Sequence, residues 1–300
     1  MEGTMKILIT GATGFLGSHL TRALVNEGYQ IIILKRSFSD TWRISDLLSK
    51  VEIFNSDNSI LEKAFIEYGP IDVVIHTATR YDRNGEKFSD LLQSNVLFPL
   101  RLLETASAFE TKLFINTDSF IHKYNQGYKH LAGYAKTKQQ FLQWMKVYSS
   151  LEKIKLVNVK LEHVYGPFDN KTKFIPYIIN SCKGNIPELN LTLGEQRRDF
   201  IHVNDVISAY LLLVKQEQEK SHWFNEYEVG TGNSVPLRQL VELIHEKTKS
   251  KTLLRFGALP YHENEIMDSK ADNSDTKKLG WKYQINLDNG IEATISAEQS

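Results

Sequence analysis

The chain has 300 residues, enough for one large or two modest domains that each bury a core without staples. Lys plus Arg is 36 and Asp plus Glu is 36, so the formal net charge is +0, which excludes the broad basic field of a general nucleic-acid binder. The single cysteine, Cys182, excludes an internal disulfide framework and a cysteine-built zinc site, and apolar runs such as Ile31–Leu34 and Tyr210–Val214 are far shorter than the ~20 residues of a membrane helix.

Short Ile- and Val-rich runs at Lys6–Thr10, Gln30–Leu34, Val51–Asn55, Ile71–Thr77, Lys112–Thr117 and Lys155–Leu161 carry little polar alternation, as strands covered on both faces do. Between them the spacing predicts helices over Gly17–Glu27, Ile60–Glu67, Phe88–Ala108 and Tyr134–Tyr148. Strand–helix alternation of this kind predicts an α/β fold, a doubly wound parallel sheet with right-handed crossovers. Beyond Gly166 the rhythm changes to mixed elements, with helices expected over Phe174–Ser181, Asn204–Lys215 and Leu237–Lys247. The expected organisation is a dinucleotide-binding domain over 1–165, to which some later segments return, and a smaller mixed α/β substrate domain over 166–300. No signal-peptide cleavage pattern precedes the first strand, so a cytoplasmic enzyme is expected, and no membrane or nucleic-acid partner.

Ile7-Leu-Ile-Thr10 runs into Gly11-Ala-Thr-Gly14-Phe-Leu-Gly17 and then a helical pattern. Strand, glycine-rich turn and helix together form the Rossmann-like dinucleotide fingerprint. The first glycine allows the tight turn, the second a close backbone approach to pyrophosphate, and the third tight helix–strand packing. Gly11, Thr13, Gly14, Phe15 and Leu16 are therefore candidate cofactor contacts. The second strand ends in Lys35-Arg36-Ser37 where an NAD site places a carboxylate for the ribose hydroxyls. A guanidinium suits a 2′-phosphate, so NADP is the expected cofactor, against a solvated basic loop. Asp57 and Asn58, after the third strand, either meet the adenine edge or form a simple turn.

Tyr134 and Lys138 stand four apart on a predicted helix and share a face. They follow a strand ending in hydroxyls, Phe114-Ile-Asn-Thr-Asp-Ser119. An adjacent ammonium is expected to lower the tyrosine pKa, and Thr117 to polarise the reacting oxygen. His76, on a buried strand, reads as structural.

Taken with the glycine turn, this order resembles the short-chain dehydrogenase/reductase superfamily, in its extended branch acting on nucleotide sugars. Lys160-Leu-Glu-His-Val-Tyr-Gly-Pro167 resembles that branch's junction into the substrate domain, and Arg198-Asp-Phe-Ile-His-Val-Asn-Asp205 its sugar-nucleotide segment. Val229-Gly-Thr-Gly232 and Leu279-Gly-Trp281 match as well. Asn116-Thr-Asp-Ser-Phe120, Leu161-Glu-His-Val-Tyr-Gly-Pro167, Phe174-Ile-Pro-Tyr-Ile-Ile179 and Asn264-Glu-Ile-Met267 are similar to reductases of CDP-linked 4-ketosugars within it. The resemblance implies reduction of the 4-keto group of a CDP-3,6-dideoxyhexose with NADPH, a dTDP sugar being the other candidate. It makes Thr117, Tyr134 and Lys138 the catalytic triad. It adds Thr77, Ala78, Thr79, Leu161 and His163 to the cofactor contacts. It places Tyr81, Asp118, Ser119, His163, Phe174, Arg198 and His262 around the sugar nucleotide.

The chain departs from relatives at three of these positions. Dehydratases of the branch carry Glu where Ser119 stands, and a serine hydroxyl is far too weakly basic to remove a C5 proton, which disfavours dehydration. Relatives often have Asn at His163 and Arg at His262, leaving Arg198 as the better diphosphate ligand unless it is spent on an ion pair with Asp199. A redox-neutral C4 epimerase that keeps NAD, and a non-catalytic NADP-binding protein, stay open. Surplus apolar residues on Phe88–Ala108 and on the helix from Tyr134 imply a homodimer seam.

Overall fold

The computed structural model describes residues 4–82, 85–123, 131–217 and 221–297. The chain divides into two compact units, one of Met1–His122, Leu131–Lys160 and Ile207–Tyr227, the other of Lys123–His130, Leu161–Val206 and Glu228–Ser300.

The first unit carries β1 (Lys6–Thr10), α1 (Phe15–Asn26), β2 (Gln30–Lys35), β3 (Glu52–Asn55), α2 (Leu61–Tyr68), β4 (Val73–His76), α3 (Phe88–Leu92), α4 (Phe98–Ala108), β5 (Leu113–Ser119), α5 (Ala132–Ser149) and β6 (Lys155–Leu161). With the strand Phe224–Val229 these form a seven-stranded sheet in the order Phe224–Val229, β6, β5, β4, β1, β2, β3. β1 pairs in parallel with both β2 and β4, so the strand order reverses across β1. Ligands of open α/β sheets bind at such a reversal, beyond the carboxyl ends of the strands. The strands read as continuous apolar runs because both faces are covered: Leu8, Ile32, Val74 and Phe114 pack with Phe141 and Met145 of α5 in one core.

The single helix predicted over Phe88–Ala108 is instead α3 and α4 joined by a π-helical turn at Gln93–Leu97. Pro99 has no N–H to donate to the carbonyl of Asn95, so the regular ladder cannot run through this point. The widened turn carries Asn95, whose buried amide accepts from Arg80 N and donates to Arg80 O (both 2.8 Å) and to Thr137 Oγ1 (3.1 Å). Asn95 thereby ties the loop after β4 to α5.

The second unit packs the helices Phe174–Lys183 and Leu237–Lys247 around Tyr165, Leu189, Leu191, Phe200 and Ile291. Cys182 is buried in this core. Two aspartates of the 198–205 segment close it. Asp199 accepts from Thr231 N, Thr231 Oγ1 and Gly232 N (2.9, 2.6 and 2.8 Å), and Asp205 from Gln284 N and Ile285 N (2.8 and 3.1 Å). Trp281 Nε1 donates to the Asp205 carbonyl at 3.2 Å, giving the Leu279-Gly-Trp281 match a packing role. Among the described residues no helix is long and apolar enough to cross a membrane.

Candidate active site

The glycine-rich turn is built where β1 meets α1. Gly11 has φ +74°, and a Cβ there would lie 2.6 Å from both Ala78 N and Thr77 Oγ1. The close approach brings the loop after β4 onto β1: Thr77 Oγ1 donates to Thr10 O at 2.7 Å and Ala78 N to Thr10 Oγ1 at 3.4 Å. At Gly17 a Cβ would stand 2.1 Å from Gly11 O, so α1 rests directly on the turn. No acidic residue and no side-chain cap occupies the first turn of α1, whose N-terminal amides and dipole are thus available to an anion. This cradle fits the pyrophosphate of a dinucleotide, with Thr13 and Gly14 at its mouth and Phe15 and Leu16 opening the helix.

At the end of β2, Lys35 Nζ folds back onto Arg36 O and Asn55 Oδ1 (3.2 and 3.3 Å). Arg36 is exposed, its guanidinium carbon 4.7 Å from the centroid of the Phe38 ring. Asp57 accepts from Ser37 N and Ser37 Oγ (2.7 and 2.6 Å), and the serine hydroxyl is the main reason its carboxyl lies below the usual range. Asp57 therefore fixes the Arg36–Ser37 turn, and Asn58 closes a turn of its own through its N–H to Asn55 O (3.2 Å). Arg43, which no motif singles out, lies over the Trp42 ring and reaches Thr13 O at 3.5 Å.

Thr117, Ser119, Tyr134, Lys138 and Tyr81 come together where β5 meets α5. Tyr134 is buried beside Ser119, with the Tyr81 ring centroid 4.6 Å from its own. Lys138 Nζ donates to the Thr117 carbonyl at 2.7 Å and stands 5.8 Å from the centroid of the Tyr134 ring. The Thr117 hydroxyl meets Tyr210 Oη at 2.7 Å, a partner that no sequence motif announces. Burial, then Tyr81 and then Asp118, push the Tyr134 phenol well above its ordinary value. The expected lowering by Lys138 is not seen, because the ammonium is turned to the Thr117 carbonyl and burial dominates. A phenol that keeps its proton at neutral pH is a donor, the form needed to protonate an alkoxide. Burial lowers Lys138 to about 8. His76 is buried, meets Thr10 Oγ1 at 2.8 Å through Nδ1, and is lowered to about 3 by burial, so it is a neutral core residue.

The remaining candidates lie in the second unit, apart from the buried Asp118 of β5. Arg198 is buried and pairs with Glu265 at 2.5 Å; Asp199, the ion-pair partner weighed against a diphosphate, is taken by the amides of Thr231 and Gly232 instead. Glu265 N donates to His262 O at 3.1 Å, so Arg198 and the exposed His262 belong to one local assembly. His163 N donates to Asp199 O at 3.0 Å, its ring lies 5.6 Å from that of Phe200, and burial followed by the Arg198 cation holds its imidazole neutral. Leu161 is buried, while Phe174 is partly exposed at the start of its helix. Glu162, passed over in the sequence, is buried: Oε2 accepts from Ser269 Oγ at 2.8 Å, Oε1 has no hydrogen bond among the described residues, and burial raises the carboxyl to about 7. Among the described residues no three His, Cys, Asp or Glu gather into a metal site.

A doubly wound parallel sheet with a glycine turn at its reversal and a Tyr-x-x-x-Lys helix beside it defines the Rossmann class of the short-chain dehydrogenase/reductase type. Residues 7–230 match the NAD dependent epimerase/dehydratase family. The chain is 38% identical to a CDP-abequose synthase of Salmonella muenchen over 300 residues, covering 100% of both chains. It is 36% identical to a CDP-abequose synthase of Salmonella typhimurium, covering 96% of this chain and 97% of that one. A Bacillus cereus UDP-glucuronic acid 4-epimerase, solved with UDP-glucuronic acid and NAD, superposes with a TM-score of 0.84 at 23% identity, covering 98% of this chain and 99% of that one, which speaks to the fold. The chain belongs to the NAD dependent epimerase/dehydratase family, as an enzyme of the extended short-chain type.

Proposed function

We propose that the protein reduces the 4-keto group of a CDP-linked 3,6-dideoxyhexose with NADPH, the CDP-abequose-forming reaction. The observation that carries this reading is a serine hydroxyl, Ser119, beside the Tyr134 phenol at the position where dehydratases hold a basic Glu, in a chain 38% identical to a CDP-abequose synthase. A hydroxyl at position 119 is no base for the C5 proton.

The nicotinamide supplies hydride when bound. Gly11, Thr13, Gly14, Phe15 and Leu16 hold the pyrophosphate, and Arg36 and Ser37, with Lys35 behind them, hold the 2′-phosphate. Thr77, Ala78 and Thr79 line the approach from β4. Lys138 orients the ribose and keeps positive charge beside Tyr134. Tyr134 Oη gives its proton to the C4 oxygen as that oxygen takes on negative charge. The Ser119 hydroxyl stands beside the Tyr134 phenol, and Tyr81 packs on its ring. Thr117 turns from Tyr210 to the C4 oxygen when the sugar is bound. In the second unit Arg198, by exchanging Glu265 for a phosphate oxygen, and His262 serve the diphosphate, and His163 and Phe174 the nucleotide sugar. The exposed Phe88, Leu92 and Leu97, with Trp144 and Val147 of α5, supply the seam of a homodimer. A cytoplasmic location suits a soluble nucleotide-sugar pool.

Incubation with NADPH and CDP-4-keto-3,6-dideoxyglucose tests the reading. Stoichiometric NADPH consumption with a product heavier by two hydrogens is expected. Redox-neutral interconversion of C4 epimers, with a cofactor that copurifies, would replace it by the epimerase. Loss of water from intact CDP-glucose would replace it by the dehydratase.

A further inference from the structure

Asp118 stands between two candidate site hydroxyls, yet its carboxylate is committed to the protein. Oδ1 accepts from Ser119 N at 2.8 Å, and Oδ2 accepts from His122 Nε2 at 2.9 Å and from Asn158 Nδ2 at 2.8 Å. Asn158 is fixed in turn: its Oδ1 accepts from Asn116 Nδ2 at 2.7 Å, and its Nδ2 also reaches Glu226 Oε2 at 3.1 Å. Glu226 is paired with Lys160 at 2.7 Å. Asp118 is 2% exposed and Lys138 is 4% exposed, so both ends of this arrangement are buried.

Lys138 makes one hydrogen bond among the described residues, to a neutral carbonyl. Among the described residues no carboxylate lies within ion-pair distance of it. A buried ammonium without compensating charge is strongly disfavoured and loses its proton. We propose that Asp118 is the counter-charge of Lys138: a positioning residue that keeps the ammonium charged and acts on the reaction through it, rather than a ligand of the sugar. His122 and Asn158 hold its carboxylate in place. The inference rests on Tyr134 and Lys138 being the acid–base pair.

The charges around each group support it. Lys138 donates to the Thr117 carbonyl, in the peptide that joins Thr117 to Asp118 on β5, which brings the ammonium to the base of the Asp118 side chain; Tyr134 lies on its own helix, and the neutral His76 of β4 is the other titratable group that feels its charge. Burial pulls Lys138 down and Asp118 is the charge that opposes the fall. Asp118 faces His122, Asn158 and Lys138, with Glu226 and Lys160 beyond Asn158. Burial raises it, but the hydrogen bonds from His122 and Asn158 and the Lys138 charge outweigh this and hold its carboxyl below the usual range.

Removing the charge at Asp118 should let Lys138 lose its proton at lower pH. Asp118→Asn is compared with the native enzyme by the pH dependence of kcat between about pH 5.5 and 9, with NADPH and CDP-4-keto-3,6-dideoxyglucose. The alkaline limb should move toward acid by about one to two pH units, the effect of one nearby opposite charge. At pH 6 the KM for the ketosugar and the Kd for NADPH should stay within about threefold. An unmoved limb overturns the proposal, whether KM rises (a sugar ligand) or does not (a structural residue). Tyr134→Phe in the same series separates the underlying reading, which fails if that variant turns over normally. Should Asp118→Asn not fold, the reciprocal measurement applies. In Lys138→Met, 13C NMR should show the Asp118 carboxyl titrating at higher pH than in the native chain, and an unmoved titration overturns the proposal.

Discussion

Thr117 Oγ1 and Tyr210 Oη stand 2.7 Å apart, so the hydroxyl expected to polarise the substrate is hydrogen-bonded to a buried phenol from the helix Val203–Gln216. If Thr117 must exchange that partner for the sugar, Tyr210→Phe should leave kcat/KM within about threefold. It should destabilise the fold by about 1 kcal/mol, the net worth of one hydrogen bond whose remaining hydroxyl, on Thr117, is half-buried. Thr117→Ala should lower kcat by about tenfold or more. Steady-state kinetics beside thermal melts separates the two, and equal kinetic losses would make the Thr117–Tyr210 pair a single catalytic unit.

Tyr134→Phe keeps the ring that packs on Tyr81 and removes the proton donor. General acids of this kind are worth roughly 10²–10⁴ in rate, so turnover should fall by that range while NADPH binding survives. Fluorescence titration of NADPH alongside the rate assay checks both halves.

Arg36 is exposed just after β2, where the chain itself carries no carboxylate and the Asp57 carboxylate brought there by the third strand is taken up by Ser37. A charge-assisted hydrogen bond to the 2′-phosphate is worth about 1.5–3 kcal/mol, or roughly 10- to 150-fold in affinity. NADPH should bind more tightly than NADH by that factor, and Arg36→Asp should narrow or reverse the preference. Calorimetric titration of both cofactors into both proteins decides it; equal native affinities would remove the role given to Arg36.

Glu162 is raised by burial from an ordinary 4.5 to about 7. The folded state therefore holds a proton that the unfolded chain has released between those values. Stability should fall as pH rises from about 4.5 to 7 and level off above. Glu162→Gln is neutral at every pH and should be the more stable protein at pH 8, by as much as roughly 3 kcal/mol. Near pH 4.5 the two should melt alike. Melting curves at both pH values check the sign, and a native protein more stable than the variant at pH 8 would show Glu162 to be ionised and satisfied.

A Cβ at Gly17 would stand 2.1 Å from the Gly11 carbonyl oxygen, a backbone atom with no flexible way to yield. Gly17→Ala should cost about 1–3 kcal/mol through overpacking and should weaken dinucleotide binding, because α1 and the turn must separate. Denaturant melts and cofactor titration test the two effects together.

The doubly wound sheet was legible in the sequence because a strand covered on both faces must be apolar throughout, and six such runs stand in order. The glycine turn was legible because its three glycines answer three separate steric demands, which the contacts at Gly11 and Gly17 display. Tyr134 and Lys138 were brought to one face by helical periodicity alone. The break in the helix at Gln93–Leu97 is visible in Pro99 only once the place of Asn95 in the ladder is known. The partners of the polar groups were decided by tertiary structure. Tyr210 lies 93 residues from Thr117, Glu265 lies 67 from Arg198, and Asn158 lies 40 from Asp118. Hydrogen-bond partnership depends on distance in space, and no local pattern encodes which distant donor a buried carboxylate will meet. The same holds for protonation: Tyr134, Lys138 and Glu162 have ordinary values in the open chain, and burial by elements far along the sequence moves them.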